Sequence, residues 1–198
     1  MHARYVVKDT FYKKAKKDGY RARSAYKLEE IQQKFTLIKK GDRVLDLGAA
    51  PGSWVQLESV LVGPGGLVVG FDILPITPVP ASNVVLKKAD IREVDVQGLL
   101  RETGTPAFDV VTSDIAPNLS GIRDADIARI HELYLAVLRI TDEALRRGGG
   151  FLIKLFFSPD FADMEAALKP RFSKVATFKP KASRSVSDEV YLVCTGKK

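Results

Sequence analysis

The sequence is poor in the side chains that make disulfides and bind transition metals. Its 198 residues include one cysteine, Cys194, and two histidines, His2 and His131. A single thiol excludes an internal disulfide and suits a reducing compartment. One Cys and two distant His do not make a zinc site, so no metal is expected. Long apolar runs are missing as well: no stretch approaches the ~18 residues of a membrane span. The opening Met1-His2-Ala3-Arg4-Tyr5 lacks the apolar segment of a signal peptide. The expectation is a cytoplasmic protein without a membrane partner. An acidic excess is also absent: 31 Lys and Arg oppose 24 Asp and Glu, for a net charge of +7. That balance favours a polyanionic partner. With 45% hydrophobic and 28% charged residues, the chain reads as a single globular domain spanning 1–198.

The positive charge is concentrated at one end. Residues 1–40 carry twelve basic side chains against four acidic ones, so the remainder is near neutral. Residues 1–23 interleave Lys8, Lys13, Lys14, Lys16, Lys17, Arg21 and Arg23 with Tyr5, Phe11, Tyr12 and Tyr20. Cations that meet phosphates, beside rings that can stack bases, are the ingredients of RNA binding. This segment is expected to be a basic RNA-binding arm, joined by Lys181 and Arg184 from a late loop. The alternative is a solvated arm whose aromatics pack on the domain.

The stretch Val44-Leu45-Asp46-Leu47-Gly48-Ala49-Ala50-Pro51-Gly52-Ser53-Trp54 organises the rest. Val44, Leu45 and Leu47 predict a buried strand, and Ser53 can cap a helix running through Leu57 and Leu61. A strand-to-helix turn of small residues in an open α/β sheet lies where ligands bind. The spacing is not the G-x-G-x-x-G of dinucleotide sites. Asp46 beside the turn would repel a pyrophosphate and suit a cationic ligand, such as the amino-acid end of S-adenosylmethionine. Asp72 follows the turn by about 20 residues at the end of a second strand, where an acid can hold ribose hydroxyls. Asp90, past a third strand at 84–86, either contacts a cofactor base or caps a turn.

Further strands are expected at 108–113, 150–157, 175–178 and 190–194. Helices are expected at 24–35, from about 126 to 147 with Gly148-Gly149-Gly150 stopping it, and at 161–168. The alternation predicts a doubly wound α/β fold: a Rossmann-like, mostly parallel seven-stranded sheet with helices on both faces. Asp114 leaves the fourth strand at its carboxyl end. Lys154 interrupts the apolar run of the fifth, where an unpaired ammonium would be costly; it either snorkels to solvent or lines the crevice with partners. Lys27, beside Leu28 on the first helix, reads as a snorkelling lysine, and His131 as structural. Cys194 is badly placed for a cysteine nucleophile, and Asp114-Ile115-Ala116-Pro117-Asn118 lacks the aromatic of adenine-amino methyltransferases.

These segments resemble the RrmJ/FtsJ family of ribose 2′-O-methyltransferases acting on ribosomal RNA. The likeness runs from Phe11-Tyr12-Lys13-Lys14 through Gly19-Tyr20-Arg21-Ala22-Arg23-Ser24-Ala25-Tyr26-Lys27-Leu28, the Asp46–Trp54 turn, Asp72-Ile73-Leu74-Pro75, Ser113-Asp114, Lys154-Leu155-Phe156 and residues 183–191. The resemblance implies a Lys-Asp-Lys-Glu tetrad at Lys27, Asp114, Lys154 and Glu189, with Lys154 as the general base. It implies S-adenosylmethionine as cofactor, held by Gly48, Gly52, Trp54, Asp72, Asp90 and Asp114. Ser53 departs from the family, which often has Gly there. The expected substrate is a uridine ribose of large-subunit ribosomal RNA, free or in the large ribosomal subunit, and the expected state is a monomer. Transfer RNA is the alternative substrate. From another class, an inactive RNA-binding ribosome-assembly factor is the alternative role.

Overall fold

The computed structural model describes residues 10–116, 123–156, 159–183 and 187–198. Tyr5, Lys8, Pro117, Asn118 and Arg184, singled out above, lie outside the described residues. In chain order the elements are α1 (Thr10–Lys17), α2 (Ala25–Phe35), β1 (Arg43–Leu47), α3 (Ser53–Val62), β2 (Leu67–Asp72), β3 (Val84–Lys88), α4 (Val96–Thr103), β4 (Phe108–Ser113), α5 (Arg123–Ala144), β5 (Leu145–Phe156), α6 (Pro159–Leu168), β6 (Phe172–Phe178) and β7 (Glu189–Lys197). A 3-10 turn at Ile91–Glu93 precedes α4.

The seven strands form one sheet in the order β3-β2-β1-β4-β5-β7-β6. β1 to β5 run parallel, and β7 inserts antiparallel between β5 and β6. The chain reverses its direction of travel between β1 and β4, so the crevice at the carboxyl ends of these strands is where a ligand would sit.

Strand periodicity assigns each side chain to a face. Leu45, Leu47, Val111, Phe151, Ile153 and Leu192 pack with the apolar sides of α4, α5 and α6. Val44, Val110, Leu152, Tyr191 and Val193 pack with Leu28 and Ile31 of α2 and Trp54 and Val55 of α3. The same alternation puts Asp46, Thr112 and Lys154 on the α2/α3 face. Glu189 and Tyr191 of β7 share that face.

The main departures from the sequence expectation are the end of the long helix and one helix not anticipated. α5 ends at Ala144, and Leu145 already pairs with Phe108 at the start of β5. Gly148, Gly149 and Gly150 therefore lie inside a strand and do not terminate a helix. A register shift opposite Phe108 and Val110 accommodates them, with Gly148 at φ +74° and Arg146 ion-paired to Asp109 across the strands. α4, not anticipated, is started by Asp95, whose carboxylate accepts from Gly98 N. No helix among the described residues is long and apolar enough to cross a membrane.

Candidate active site

The β1–α3 turn forms one wall of a cavity of about 450 Å³, within the ~300–1,000 Å³ range of small-molecule sites. Gly48 lines it at φ +86°. A side chain there would sit 2.5 Å from Ile115 Cγ1 and 3.0 Å from its backbone, so both conformation and space require glycine. Asp72 and Asp90 line the cavity further along, and Asp114 closes its near end. One Asp72 oxygen accepts from Ala50 N at 2.9 Å and the other from Leu74 N at 2.8 Å, which fixes the carboxylate at the rim. Asp90 caps the 3-10 turn through Arg92 N at 3.0 Å, and it also lines the cavity. Hydrogen bonds from the Arg92 side chain and backbone hold its carboxyl below the ordinary range, so it is ionised. Four acids, Asp72, Asp90, Asp114 and Glu132, line the cavity beside two arginines, Arg92 and Arg129, so its lining is acidic on balance.

Gly52 and Trp54 do not line the cavity, so their place in the turn has other causes. Trp54 is buried against Tyr191 and donates its indole N–H to Ser24 O at 2.9 Å. Gly52 faces Arg21: an added Cβ would lie 2.5 Å from Nη1. Ser53 is the first residue of α3 and not its cap; its hydroxyl meets that of Ser24 at 2.8 Å. Asp46 is fully buried, turned by strand alternation toward α3 and away from the cavity. It does not serve there as the counter-charge to a cationic ligand.

The four tetrad positions converge on the α2 face beside the Asp114 end of the cavity. Lys154 and Tyr191 are cross-strand partners, and so are Phe156 and Glu189, which sets Glu189 and Tyr191 on one face of β7. Lys154 does not snorkel: it is 6% exposed, and its ammonium donates to Asp114 Oδ1 at 3.0 Å and to Asp114 O at 2.5 Å. Lys27 points down from α2, buried, and pairs with Glu189 Oε1. The snorkelling alternative is excluded for it as well. Burial pushes the Glu189 carboxyl up, but the hydrogen bond from Lys27 and the charges of Lys27 and Lys154 outweigh it and hold the group below its usual value. The four side chains thus form two pairs, each of one lysine and one carboxylate.

Sequence reasoning missed Tyr191. Its hydroxyl donates to Asp114 Oδ1 at 2.8 Å, and Lys27 Nζ lies 6.0 Å from its ring centre. Burial, then the Asp114 and Glu189 carboxylates, hold the phenol protonated well above its usual range. A tyrosine in an apolar strand reads as core; only its place opposite Lys154 reveals the role. Also missed was Glu58 of α3, fully buried over Asp46. Thr112 Oγ1 lies 2.8 Å from Glu58 Oε1 and 3.3 Å from Asp46 Oδ1.

The expected arm is partly a packed element. α1 exposes Lys13, Lys14, Lys16 and Lys17. Phe11 and Tyr20, expected to stack bases, instead pack on Tyr26, each ring 5.7 Å from it, together with Ala15 and Ala182. The Glu30 carboxylate of α2 accepts from Lys181 N and Ala182 N, both at 2.8 Å, and so holds the β6–β7 loop beside α1.

A doubly wound sheet with an acidic small-molecule cavity, flanked by two buried lysine–carboxylate pairs, defines a Rossmann-like transferase. Residues 20–197 match the model of the FtsJ-like methyltransferases, and the chain belongs to that family. A ribosomal RNA large subunit methyltransferase E from Bdellovibrio bacteriovorus is 43% identical over 98% of this chain and 99% of the relative. One from Methanothrix thermoacetophila is 48% identical over 96% of this chain and 72% of its own. Among solved structures, a Plasmodium falciparum protein described as a ribosomal RNA methyltransferase superposes with a TM-score of 0.79 at 29% identity, covering 90% of this chain and 98% of that one.

Proposed function

We propose that this protein methylates a ribose 2′-hydroxyl of large-subunit ribosomal RNA, most specifically on a uridine, using S-adenosylmethionine. The observation that carries the reading is the junction at Asp114, which belongs both to the cavity wall and to the Lys154–Tyr191 network. The cavity's size and acidic lining fit S-adenosylmethionine, with Asp72 toward the ribose, Asp90 toward the base and Gly48 beneath it. Gly52 and Trp54 contribute through the shape of the turn. When bound, that cofactor supplies an activated methyl group.

The chain's own residues do the remainder. A ribose hydroxyl is a poor nucleophile and must give up its proton as the methyl arrives. Lys154 Nζ, once neutral, accepts that proton. Asp114 and Tyr191 aim the amine, and the Lys27–Glu189 pair fixes the opposite wall without adding net charge. Exposed lysines of α1, with Lys181, supply phosphate contacts that position the RNA and carry no sequence information. The names of the relatives support ribosomal RNA as the substrate class, and a chain with a single cysteine suits a reducing cytoplasm. Mapping 2′-O-methyl positions in large-subunit RNA from cells lacking the protein tests this. The expected result is one missing uridine methyl that the purified protein restores on isolated large subunits. An unchanged map would overturn it.

A further inference from the structure

Arg21 sits in the basic N-terminal region, yet its guanidinium is bonded to backbone carbonyls of its own chain in a solvent-accessible seam. Nη1 donates to Pro51 O at 3.1 Å and to Thr77 O at 2.5 Å, and Nη2 donates to Pro78 O at 2.7 Å. The first carbonyl belongs to the β1–α3 turn and the other two to the loop between β2 and β3. Those two segments flank Asp72, and Ala50 N and Leu74 N bond to its two oxygens. Gly52 leaves the space through which the guanidinium passes, since any Cβ there would meet Nη1.

The backbone around Arg21 extends the same seam. Arg21 N donates to Gln56 Oε1 at 3.1 Å, and Gln56 Nε2 returns a bond to Gly19 O at 3.2 Å. One step on, Ser24 meets Ser53 and Trp54, and one helical turn beyond lies Lys27. Residues 19–24 are therefore sewn to the turn and to the first turns of α3 just before α2 delivers its lysine.

We propose that Arg21 is a positioning residue for methyl transfer: it clamps the cofactor turn to the β2–β3 loop and fixes the register of the Lys27 helix against that turn. This rests on the function proposed above. A planar fork can bond carbonyls of two separate segments at once, whereas an ammonium on a flexible stem cannot reproduce that geometry. Charge alone does not suffice.

Arg21→Lys separates a clamp from a phosphate contact, because it keeps the charge and loses the fork. As a clamp, the lysine variant should bind S-adenosylmethionine about tenfold more weakly by calorimetry, the equivalent of one charge-assisted hydrogen bond. Arg21→Ala should match it, and its RNA binding should keep the parent's salt dependence. As a phosphate contact, Arg21→Lys would keep the parent's cofactor affinity, and Arg21→Ala would lower the slope of log K against log salt by about 0.9. That pattern would overturn the proposal.

Amide exchange in the cofactor-free protein gives a second readout that does not depend on the proposed reaction. Arg21→Lys should speed exchange at residues 52–57 and in the first turn of α2 while the β4 and β5 amides stay protected. Unchanged exchange at those helix starts would also sink the clamp. A parent protein that bound no S-adenosylmethionine would instead overturn the methyl-transfer reading.

Discussion

Two clusters of buried ionisable groups lie on the same face of the same sheet and accommodate burial in opposite ways. At the carboxyl ends of β4 and β5, each lysine meets a carboxylate: Lys154 with Asp114, Lys27 with Glu189. Beneath the β1–α3 turn, Asp46 and Glu58 are both fully buried, and Thr112 is the bridge between them. The Thr112 hydroxyl carries one hydrogen and touches both carboxyls, so one of those contacts needs a hydrogen supplied by an acid. Burial raises both groups, Glu58 to about 8, and for Asp46 the neighbouring Glu58 and Asp114 charges add to it. Among the described residues, Asp46 Oδ2 and Glu58 Oε2 have no hydrogen-bond partner. Glu189 Oε1 also lacks a hydrogen bond of ordinary geometry but faces the Lys27 ammonium as an ion pair, which neither acid of the buried pair has. The paired cluster is ready for charge to move, while the acid pair is a neutral or singly charged strut. Counter-ions, and not burial itself, decide whether a polar cluster on this face can do chemistry.

The largest test of that contrast acts on Lys154. Lys154→Ala should lower ribose methylation by about 10³-fold or more while cofactor affinity stays close to the parent's, because a base acts only in the transition state. Lys154→Arg should be as inactive, since guanidinium keeps its proton. Substantial turnover by the arginine variant on purified ribosomal particles would leave position 154 a purely electrostatic role.

Next in size is a pH effect of opposite sign in the two clusters. Glu58 has a folded value raised above the ordinary 4.5 to about 8. Its contribution to stability is complete below about 4.5 and is lost as pH rises through about 8, a matter of a few kcal/mol. Glu189 has a lowered folded value; its contribution is present above the ordinary glutamate range and is lost as pH falls through its folded value. Melting temperature should therefore drop between about pH 5 and 8 in the parent and level off above 8, while Glu58→Gln should lack that part of the fall. At acid pH, Glu189→Gln should remove part of the parent's decline. If Glu58→Gln and the parent lost stability in parallel between about pH 5 and 8, the buried proton would be assigned to the wrong pair.

The smallest effect expected is from Tyr191→Phe. It removes one hydrogen bond to Asp114 and leaves Lys154 in place, so kcat should fall by roughly tenfold or less, the scale of about 1 kcal/mol. Cofactor affinity should hold, as measured by titration. A loss as large as that of Lys154→Ala would make the phenol a participant in proton transfer.

The same contrast explains what could be read in the sequence. β1, β4 and β5 were legible because three or more apolar residues in strand order, bounded by turn signals, have few other interpretations. Lys154 was legible because a charge inside such a run is an anomaly. Glu58 carried no signal: a glutamate in an amphipathic helix reads as exposed, and only the packing of α3 on β1 brings it to Asp46. Arg21 was hidden for the converse reason, since one arginine among many cations reads as part of a charged surface. The Leu145–Arg147 boundary failed because helical spacing continues through it, while strand pairing with Phe108 decides the outcome.

The position of β7 has a consequence for how the protein is made. It comes after the other six strands in sequence yet lies between β5 and β6, supplying Glu189 and Tyr191 to a site whose other parts were synthesised long before. During translation the cavity wall, Lys27, Asp114 and Lys154 all exist while β6 still lacks the strand it pairs with. A nascent or prematurely terminated chain that stops ahead of residue 189 leaves Lys27 without its carboxylate and Asp114 without its phenol. Under the function proposed above, chains that stop ahead of β7 should therefore lack transfer activity.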